Sequence, residues 1–503
     1  MNSPTDETFS SISPAEFFYR NRQMAGFGNP TQAVYSTIRE LVENSIDACE
    51  QKQIMPKIRV SIHTIDSDEL SISVDDNGVG VPTEEIPAAF GRVLYGSKYD
   101  ARQRRGTFGL GVTMAILYGQ ITTDTPVLIH SQTENSPGIL LSLSIDVENN
   151  EPIVLSQESL MRKSTGTCVK LHIRGDLKRS IDRVVEYLSL TTVGTPHACI
   201  VLDVDMQESL TWGPYSDECP SPTITCKPHP RSADFEILRR LMDKNPDFTL
   251  HQFLVENFQQ VGTRTATKFL SFMAFDPSER VSKLSRRAVT KLSRSLQKYD
   301  AFSRPDSRCL SVIGKRPMQS AIKSLYDPLL VAYDSRDPSE WNGHPFILEG
   351  AIALGSSFPV TSLPTLYRFA NRVPLLYDAS EDLLTKVLRK TRWTRYGLKS
   401  PKSVAIFINL CSTRVPYKAA GKQSIASIPQ IEEEIKHLMN SLGRKLNKSL
   451  KKTDKIYRDK RRIRMFTKYF EKITSFSADL ADYPSVPSVS SMIDELFEVD
   501  TDV

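Results

Sequence analysis

Between Arg39 and Val112 the chain carries three short motifs in an order that few folds can use: RELVENSIDA (39–48), VDDNGVGVP (74–82) and RRGTFGLGV (104–112). The first lies in a stretch from Thr31 to Glu50 where Val34, Ile38, Leu41, Val42, Ile46 and Cys49 recur at helical spacing. Glu40 and Asn44, four residues apart, therefore leave the same helix face. A carboxylate beside an amide suits two tasks, orienting and deprotonating a water and offering a carbonyl oxygen to Mg²⁺. A solvated helix face has the same composition. The second motif follows a strand, and Gly78 and Gly80 allow backbone geometries closed to other residues. Asp76 at the strand end can accept a hydrogen bond from an exocyclic amine, although the same letters also make a plain Asp-Asn-Gly turn. In the third, Gly106, Gly109 and Gly111 free a run of backbone N–H groups at the start of a helix, where phosphates bind well. No GxxxxGK[ST] occurs, so this is not a P-loop.

The surrounding pattern places these motifs on a layered frame. KIRVSIHTI (57–65) and LSISV (70–74) alternate as half-buried strands and predict a hairpin. Residues 91–111 read as a loop, Val112–Tyr118 as an apolar helix, and VLIHSQ, GILLSLSIDV and TCVKLHIRG as further strands. One helix packed on a mixed sheet gives an α/β sandwich for about the first 225 residues. Prolines cluster between Trp212 and Pro230 as a linker, and residues 231–300 are basic and helix-rich. Strand signals return at FILEGAIAL (346–354) and SVAIFINL (403–410), and a charged, periodic stretch from Ile431 to Lys472 predicts one long helix. A chain of 503 residues is too long for one core. The expected division is 1–227, 228–307, 308–475 and an acidic, partly disordered tail at 476–503.

Helix with ExxxN, strand with DxGxG, then loop with GxxGxG is the arrangement of the GHKL ATPases, which the chain resembles. The flanks are more particular. SPAEFFYRNRQMAGFGNPTQAVYSTIRELVENSIDACE (13–50), FGRVLYGSKY (90–99), KPHP (227–230), LYRFANRVPLLYD (366–378), WTRYGL (393–398) and CSTRVPYKAAGKQSIA (411–426) resemble the B subunits of type IIB DNA topoisomerases, the topoisomerase VI family. The resemblance implies an α/β multidomain chain: a GHKL (Bergerat) α/β sandwich with an N-terminal dimerisation segment, a helix–two-turns–helix insert, and an α/β transducer with a long stalk helix. It implies ATP and Mg²⁺ as cofactors, Glu40 as general base, Asn44 as Mg²⁺ ligand and Asp76, beside Thr167, as the adenine contact. Further nucleotide contacts are implied at Gly78, Gly80, Ser97, Lys98, Gly106, Thr107, Phe108, Gly109, Leu110, Gly111 and Val112. Lys422, in the PYKxAGK pattern, is implied to enter the ATP site from the second domain, with Lys418 and Arg414 as rivals. Thr113 stands where some members carry a lysine.

The same resemblance implies an A₂B₂ assembly with a cleaving A subunit, an ATP-dependent B–B homodimer, and a double-strand break through which duplex DNA passes. Within the insert, FLVENFQQVGTRTATKFL (253–270) places Gly262 between helices, with Arg264 and Lys268 as candidate phosphate contacts or as solvated surface. No base-reading helix is evident, so DNA contact is expected to ignore sequence. Net charge is only +5, too mild to argue for nucleic acid by itself. Seven cysteines without CxxC spacing argue for a reducing compartment, and no apolar run is long enough to span a bilayer. The expected place is the cytoplasm beside the nucleoid, or the nucleus in a eukaryote. Other readings are a chaperone- or repair-type clamp and a non-catalytic meiotic scaffold. LDVD (202–205) imitates a metal-binding DxD and is assigned no catalysis.

Overall fold

A computed structural model of the chain describes residues 11–95, 102–106, 110–419, 421–482, 484–486 and 488. After α1 (Pro14–Arg20), α2 (Pro30–Glu50) begins where the sequence can begin a helix. The Asn29 side chain accepts the Gln32 N–H at 2.8 Å, and Pro30 occupies the first turn, where no N–H is needed. The stripe predicted from periodicity, Val34 through Cys49, is the buried face. Each such aliphatic side chain stabilises by about 1.5–3 kcal/mol when buried, so packing rather than propensity fixes the helix.

β1 (Lys57–Thr64) and β2 (Glu69–Asp75) form the predicted hairpin, paired from Thr64 with Leu70 to Arg59 with Asp75. There follow α3 (Ile86–Gly91), α4 (Gly111–Thr123), β3 (Val127–Gln132), β4 (Ile139–Asp146), β5 (Glu151–Ser159), β6 (Gly166–Arg174), α5 (Leu177–Gly194), β7 (Cys199–Val204) and β8 (Leu210–Trp212). The eight strands lie in the order β5-β4-β3-β6-β2-β1-β7-β8, and every pair is antiparallel except β1 with β7. More than one helix covers the sheet: Ile38 and Val42 of α2, Met114 and Leu117 of α4, and Val184 and Leu188 of α5 share one core with Val60, Ile72 and Ile129. α3, which buries Ile86 and Phe90, ends at Gly91, where the stretch expected to be loop begins.

A helical unit follows the proline-rich connection: α6 (Phe235–Lys244), α7 (Leu250–Asn257), α8 (Thr263–Met273) and α9 (Arg286–Lys298) close on Leu238, Phe253, Phe269 and Leu292. Next come α10 (Lys315–Tyr326), β9 (Leu330–Ser335), β10 (Ser339–Trp341), β11 (His344–Leu354), β12 (Val360–Thr361), β13 (Thr365–Ala370), β14 (Val373–Pro374), α11 (Leu383–Lys390) and β15 (Lys402–Ser412). Their sheet runs β10-β11-β15-β13-β14, with β9 on β11 and β12 on β15. β11 and β15 are buried on both faces, which is why their sequences read as nearly unbroken apolar runs. One face packs on α11 and the start of α12 (Pro429–Leu480). The other takes α10 together with Leu190 and Val193 from the end of α5, so the first unit's last helix is also part of the second sheet's core.

α12 is 52 residues long, about 78 Å at 1.5 Å per residue. It continues past Lys472 to Leu480, so the start of the segment expected to be a loose tail is helical. Its first half is anchored by Ile431, Ile435, Leu438, Leu442 and Leu446, and its second half projects. No helix among the described residues is long and apolar enough to cross a membrane.

Candidate nucleotide site

The three motifs and Lys422 surround one cavity of about 700 Å³. α2 supplies Glu40, Asn44, Asp47 and Ala48, the segment after β2 supplies Val79, Gly80 and Val81, and the third motif supplies Gly106, Leu110, Gly111 and Val112. Phe18 and Phe27 from the N-terminal segment complete one wall. Ser97, Lys98, Thr107, Phe108 and Gly109 lie outside the described residues.

Glu40 is buried, and its Oε1 accepts a hydrogen bond from Arg39 Nη2. Arg39 also reaches Glu43 Oε1 at 3.5 Å and donates from Nη1 to the Gly421 carbonyl at 3.1 Å. Burial pushes the Glu43 carboxyl up, while Lys422 pulls it down and Glu40 pushes it up again. The other Glu40 oxygen lies against Gly111, where an added Cβ would overlap Oε2. Gly111→Ala is therefore expected to displace the Glu40 carboxylate and, if that group is the general base implied by the resemblance, to keep the fold but lower ATP turnover by about tenfold or more. Steady-state hydrolysis beside a melting curve checks this, and wild-type turnover would show that the close approach has no catalytic weight.

Asp76 is buried at the end of β2. Its Oδ1 accepts the Gly78 N–H at 2.9 Å and the Thr167 N–H at 3.1 Å, and its own N–H donates to the Thr167 carbonyl at 3.0 Å. Burial pushes the carboxyl up, and the hydrogen bonds from Gly78, Ser45 and Thr167 oppose that push. Gly80 has φ +73°, and a Cβ there would strike the Gln132 carbonyl, so this loop needs glycine twice over. Thr113 is buried in the first turn of α4, its hydroxyl on the Leu110 carbonyl at 3.1 Å.

Lys422 donates from Nζ to the Arg105 carbonyl at 3.2 Å and lines the cavity. Of its rivals, Lys418 pairs with Glu381 at 2.8 Å, and Arg414 lines a separate cavity with Arg231 and Glu340. Arg264 and Lys268 stand exposed on α8, away from this site. Gly262 caps that helix at φ −88° with open space around it, and the left-handed residue of the turn is Gln260. In the LDVD segment, Asp203 pairs with Arg59 at 2.6 Å and Asp205 accepts the Thr64 N–H at 2.7 Å.

Sequence reasoning did not single out Arg39, Glu43, Glu50, Arg105 or Arg372. Arg105 binds Asp47 at 2.8 Å and Glu50 at 2.9 Å, and Arg372, from the turn after β13, reaches the same Glu50 at 2.6 Å. Against the upward push of burial, these two guanidiniums hold the Glu50 carboxyl well below the usual carboxylate range. The one local signal was Arg105 beside the glycine loop.

Comparison with known proteins agrees with this arrangement. Residues 29–174 match the family described as histidine kinase-, DNA gyrase B- and HSP90-like ATPase, and residues 305–462 match topoisomerase VI B subunit, transducer. The B subunit of type 2 DNA topoisomerase 6 from Saccharolobus islandicus is 38% identical over 500 residues, covering 98% of this chain and 94% of the relative. Its counterpart of the same name from Saccharolobus solfataricus is 39% identical over 476 residues, covering 93% and 90%. Among solved structures, the N-terminal domain of a DNA repair protein aligns with a TM-score of 0.44 at 11% identity, over 86% of this chain and 98% of that one. An ATPase match at the front, a transducer match behind it and identity running nearly end to end place the chain in the topoisomerase VI B-subunit family.

Proposed function

We propose that the chain is the ATP-binding and ATP-hydrolysing subunit of a type IIB DNA topoisomerase, in which nucleotide closes two copies into a gate for DNA. The observation that carries this is Lys422. It belongs to the second α/β unit, yet its ammonium enters the cavity built by the first. A cation delivered by another unit makes the site sensitive to the relative position of the two, as a clamp requires.

The roles divide along the geometry. Asp76, bonded to Thr167 and Gly78, would meet the adenine amino group, and Gly106, Leu110, Gly111 and Val112 would present backbone to the phosphates. Glu40 would orient the attacking water and take its proton, held in place by Arg39. Asn44 fits Mg²⁺: it offers a neutral oxygen at the cavity wall, and no cluster of three metal-ligating side chains occurs among the described residues. One protein oxygen completed by phosphate and water is the coordination Mg²⁺ favours, and the ion would supply charge neutralisation at the phosphates.

The chain is read as a nucleotide unit (1–227), a helical insert (228–307) and a transducer with stalk (308–475), followed by the tail at 476–503. The partner is a DNA-cleaving A subunit in an A₂B₂ assembly inside the cell. Tyr469, Ile473, Phe476 and Leu480 form an exposed stripe at four- and three-residue spacing on the projecting half of α12, the pattern of a helix seeking a partner. Co-purification with a candidate A subunit, followed by ATP-dependent decatenation, tests the whole reading, and a stable complex without decatenation would reject it.

Duplex DNA is expected to stimulate ATP hydrolysis without sequence preference. The exposed cations, Arg264 and Lys268 among them, sit on helices with no base-reading motif, so phosphate contacts dominate and stimulation should fall steeply with salt. ATPase rates with several unrelated duplexes across a salt series check this, and strong preference for one short sequence at moderate salt would count against it.

A further inference from the structure

The residues leading into the glycine loop are held from outside the nucleotide unit's own sheet. Arg102 Nε donates to Thr223 Oγ1 at 2.6 Å. The Gln103 side chain, itself buried, donates to the Ser311 carbonyl at 2.8 Å and accepts the Ser311 N–H at 2.6 Å. The Arg104 carbonyl accepts from Asn371 Nδ2 at 2.9 Å. Arg105, next to Gly106, is fixed by Asp47 and Glu50, and Glu50 is held in turn by Arg372.

Asn371 and Arg372 form the turn between β13 and β14 with φ of 48° and 70°. Two successive left-handed residues make a hairpin turn that glycine enters freely and arginine only at a cost. An arginine here needs a compensating task, and its side chain is directed across to the first unit: it is buried, with Nη2 on Glu50 Oε2. Its backbone is tied just as firmly to the second sheet. The Arg372 N–H donates to Asn409 Oδ1 at 3.0 Å, and Asn409 Nδ2 donates to the fully buried Glu349 at 2.7 Å. A continuous polar chain thus runs from the middle of the second sheet through Arg372 and Glu50 to Arg105.

We propose that Arg372 is a positioning residue of the nucleotide site, acting through Glu50 and Arg105 to seat the entry to the phosphate loop at Gly106. The position of Arg105 and Gly106 then depends on the placement of the second unit by a route separate from Lys422. The inference rests on the nucleotide-site reading above.

The test is Arg372→Gly in the full chain. Glycine relaxes the turn, and Glu50 keeps Arg105 and His197, the latter at 3.1 Å, so the melting temperature should stay near the wild-type value. The KM for Mg-ATP should rise about tenfold, the size expected for one charged hydrogen bond, with kcat at saturation nearly unchanged. Lys422→Ala should show the opposite split. Arg372→Lys keeps a cation within reach of Glu50 and should recover most of the affinity. An unchanged KM in Arg372→Gly would overturn the inference while leaving the site reading intact. A KM rise accompanied by a collapse in melting temperature, and not rescued by lysine, would also overturn it, because the residue would then be structural. If the wild-type chain binds no Mg-ATP, the site reading itself is wrong.

Discussion

Glu40→Ala should bind ATP and close, yet hardly turn over. The carboxylate is buried between Arg39 and Gly111, with one oxygen paired to the guanidinium and the other facing the loop that opens α4. That pairing fixes its orientation, as the proposed task of aligning a water and accepting its proton requires. Loss of a positioned general base costs about 10²–10⁴ in rate. The substitution leaves the other proposed contacts in place: Asn44, Gly106 and Gly111 on the cavity wall, and Asp76 with its two N–H donors. Arg39 keeps Glu43 and the Gly421 carbonyl, so removing Glu40 does not leave a buried charge without partners. The variant should accumulate as a nucleotide-loaded dimer in plain ATP, as the wild type should with an uncleavable analogue. Asn44→Ala should lose binding and closure together, because it removes the oxygen proposed for Mg²⁺. Nucleotide affinity and the dimer fraction in ATP decide between them. If Glu40→Ala loses ATP binding as completely as Asn44→Ala, Glu40 maintains the site rather than serving as base. Glu40→Gln, which preserves the shape beside Gly111, separates lost chemistry from lost packing.

Much of the frame was legible because it obeys local rules. The 3.6-residue stripe of α2 and the alternation of β1 and β2 are short-range patterns, and the structure buries those residues. β5 escaped because it is an edge strand whose residues are nearly all exposed, so it carries no apolar alternation and is specified by tertiary contacts, chiefly its pairing with β4. α5 escaped because its apolar residues serve two cores, Val184 and Leu188 facing the first sheet and Leu190 and Val193 the second. That double use also explains why the linker seen in composition does not mark the only contact between the units.

The candidate site divides the same way. Glu40 and Asn44 were visible as an i, i+4 pair, and Asp76 and the glycines as the ends of regular elements. The ion-pair hub at Glu50 was not, since its partners Arg105 and Arg372 lie 55 and 322 residues away, and no spacing rule reaches that far. Lys422 was named only through a resemblance. Its sequence neighbours give no reason to prefer it to Lys418, and what separates them is tertiary: Lys418 faces Glu381 on the surface, while Lys422 faces the Arg105 carbonyl inside.

Lys422→Ala should therefore bind ATP but hydrolyse it slowly and couple it poorly to closure. The ammonium is carried on a left-handed residue at φ 53° in a loop of the second unit, and that loop is tied to α2 through the Gly421 carbonyl and Arg39. It is thus a preorganised charge, held at the cavity before any bond is broken. Such a donor acts most strongly on charge that develops in the transition state, and its loss costs about 3–4 kcal/mol, or roughly 10²–10³ in rate. Ground-state binding should change less, because the adenine contact proposed at Asp76 and the backbone at Gly106 and Gly111 are untouched. The fold should tolerate the change. Lys422 is one of the groups pulling the Glu43 carboxyl down against its burial, and without it Glu43 can take up a proton instead of remaining a buried anion. Lys418→Ala serves as the control, since that side chain pairs with exposed Glu381 and should retain full turnover. Single-turnover hydrolysis beside nucleotide affinity reads the two effects separately. Wild-type turnover in Lys422→Ala would reduce this residue to a structural contact with the Arg105 carbonyl, and the site's dependence on the second unit would then have to run through the Glu50 hub and the contacts at Gln103 and Arg104.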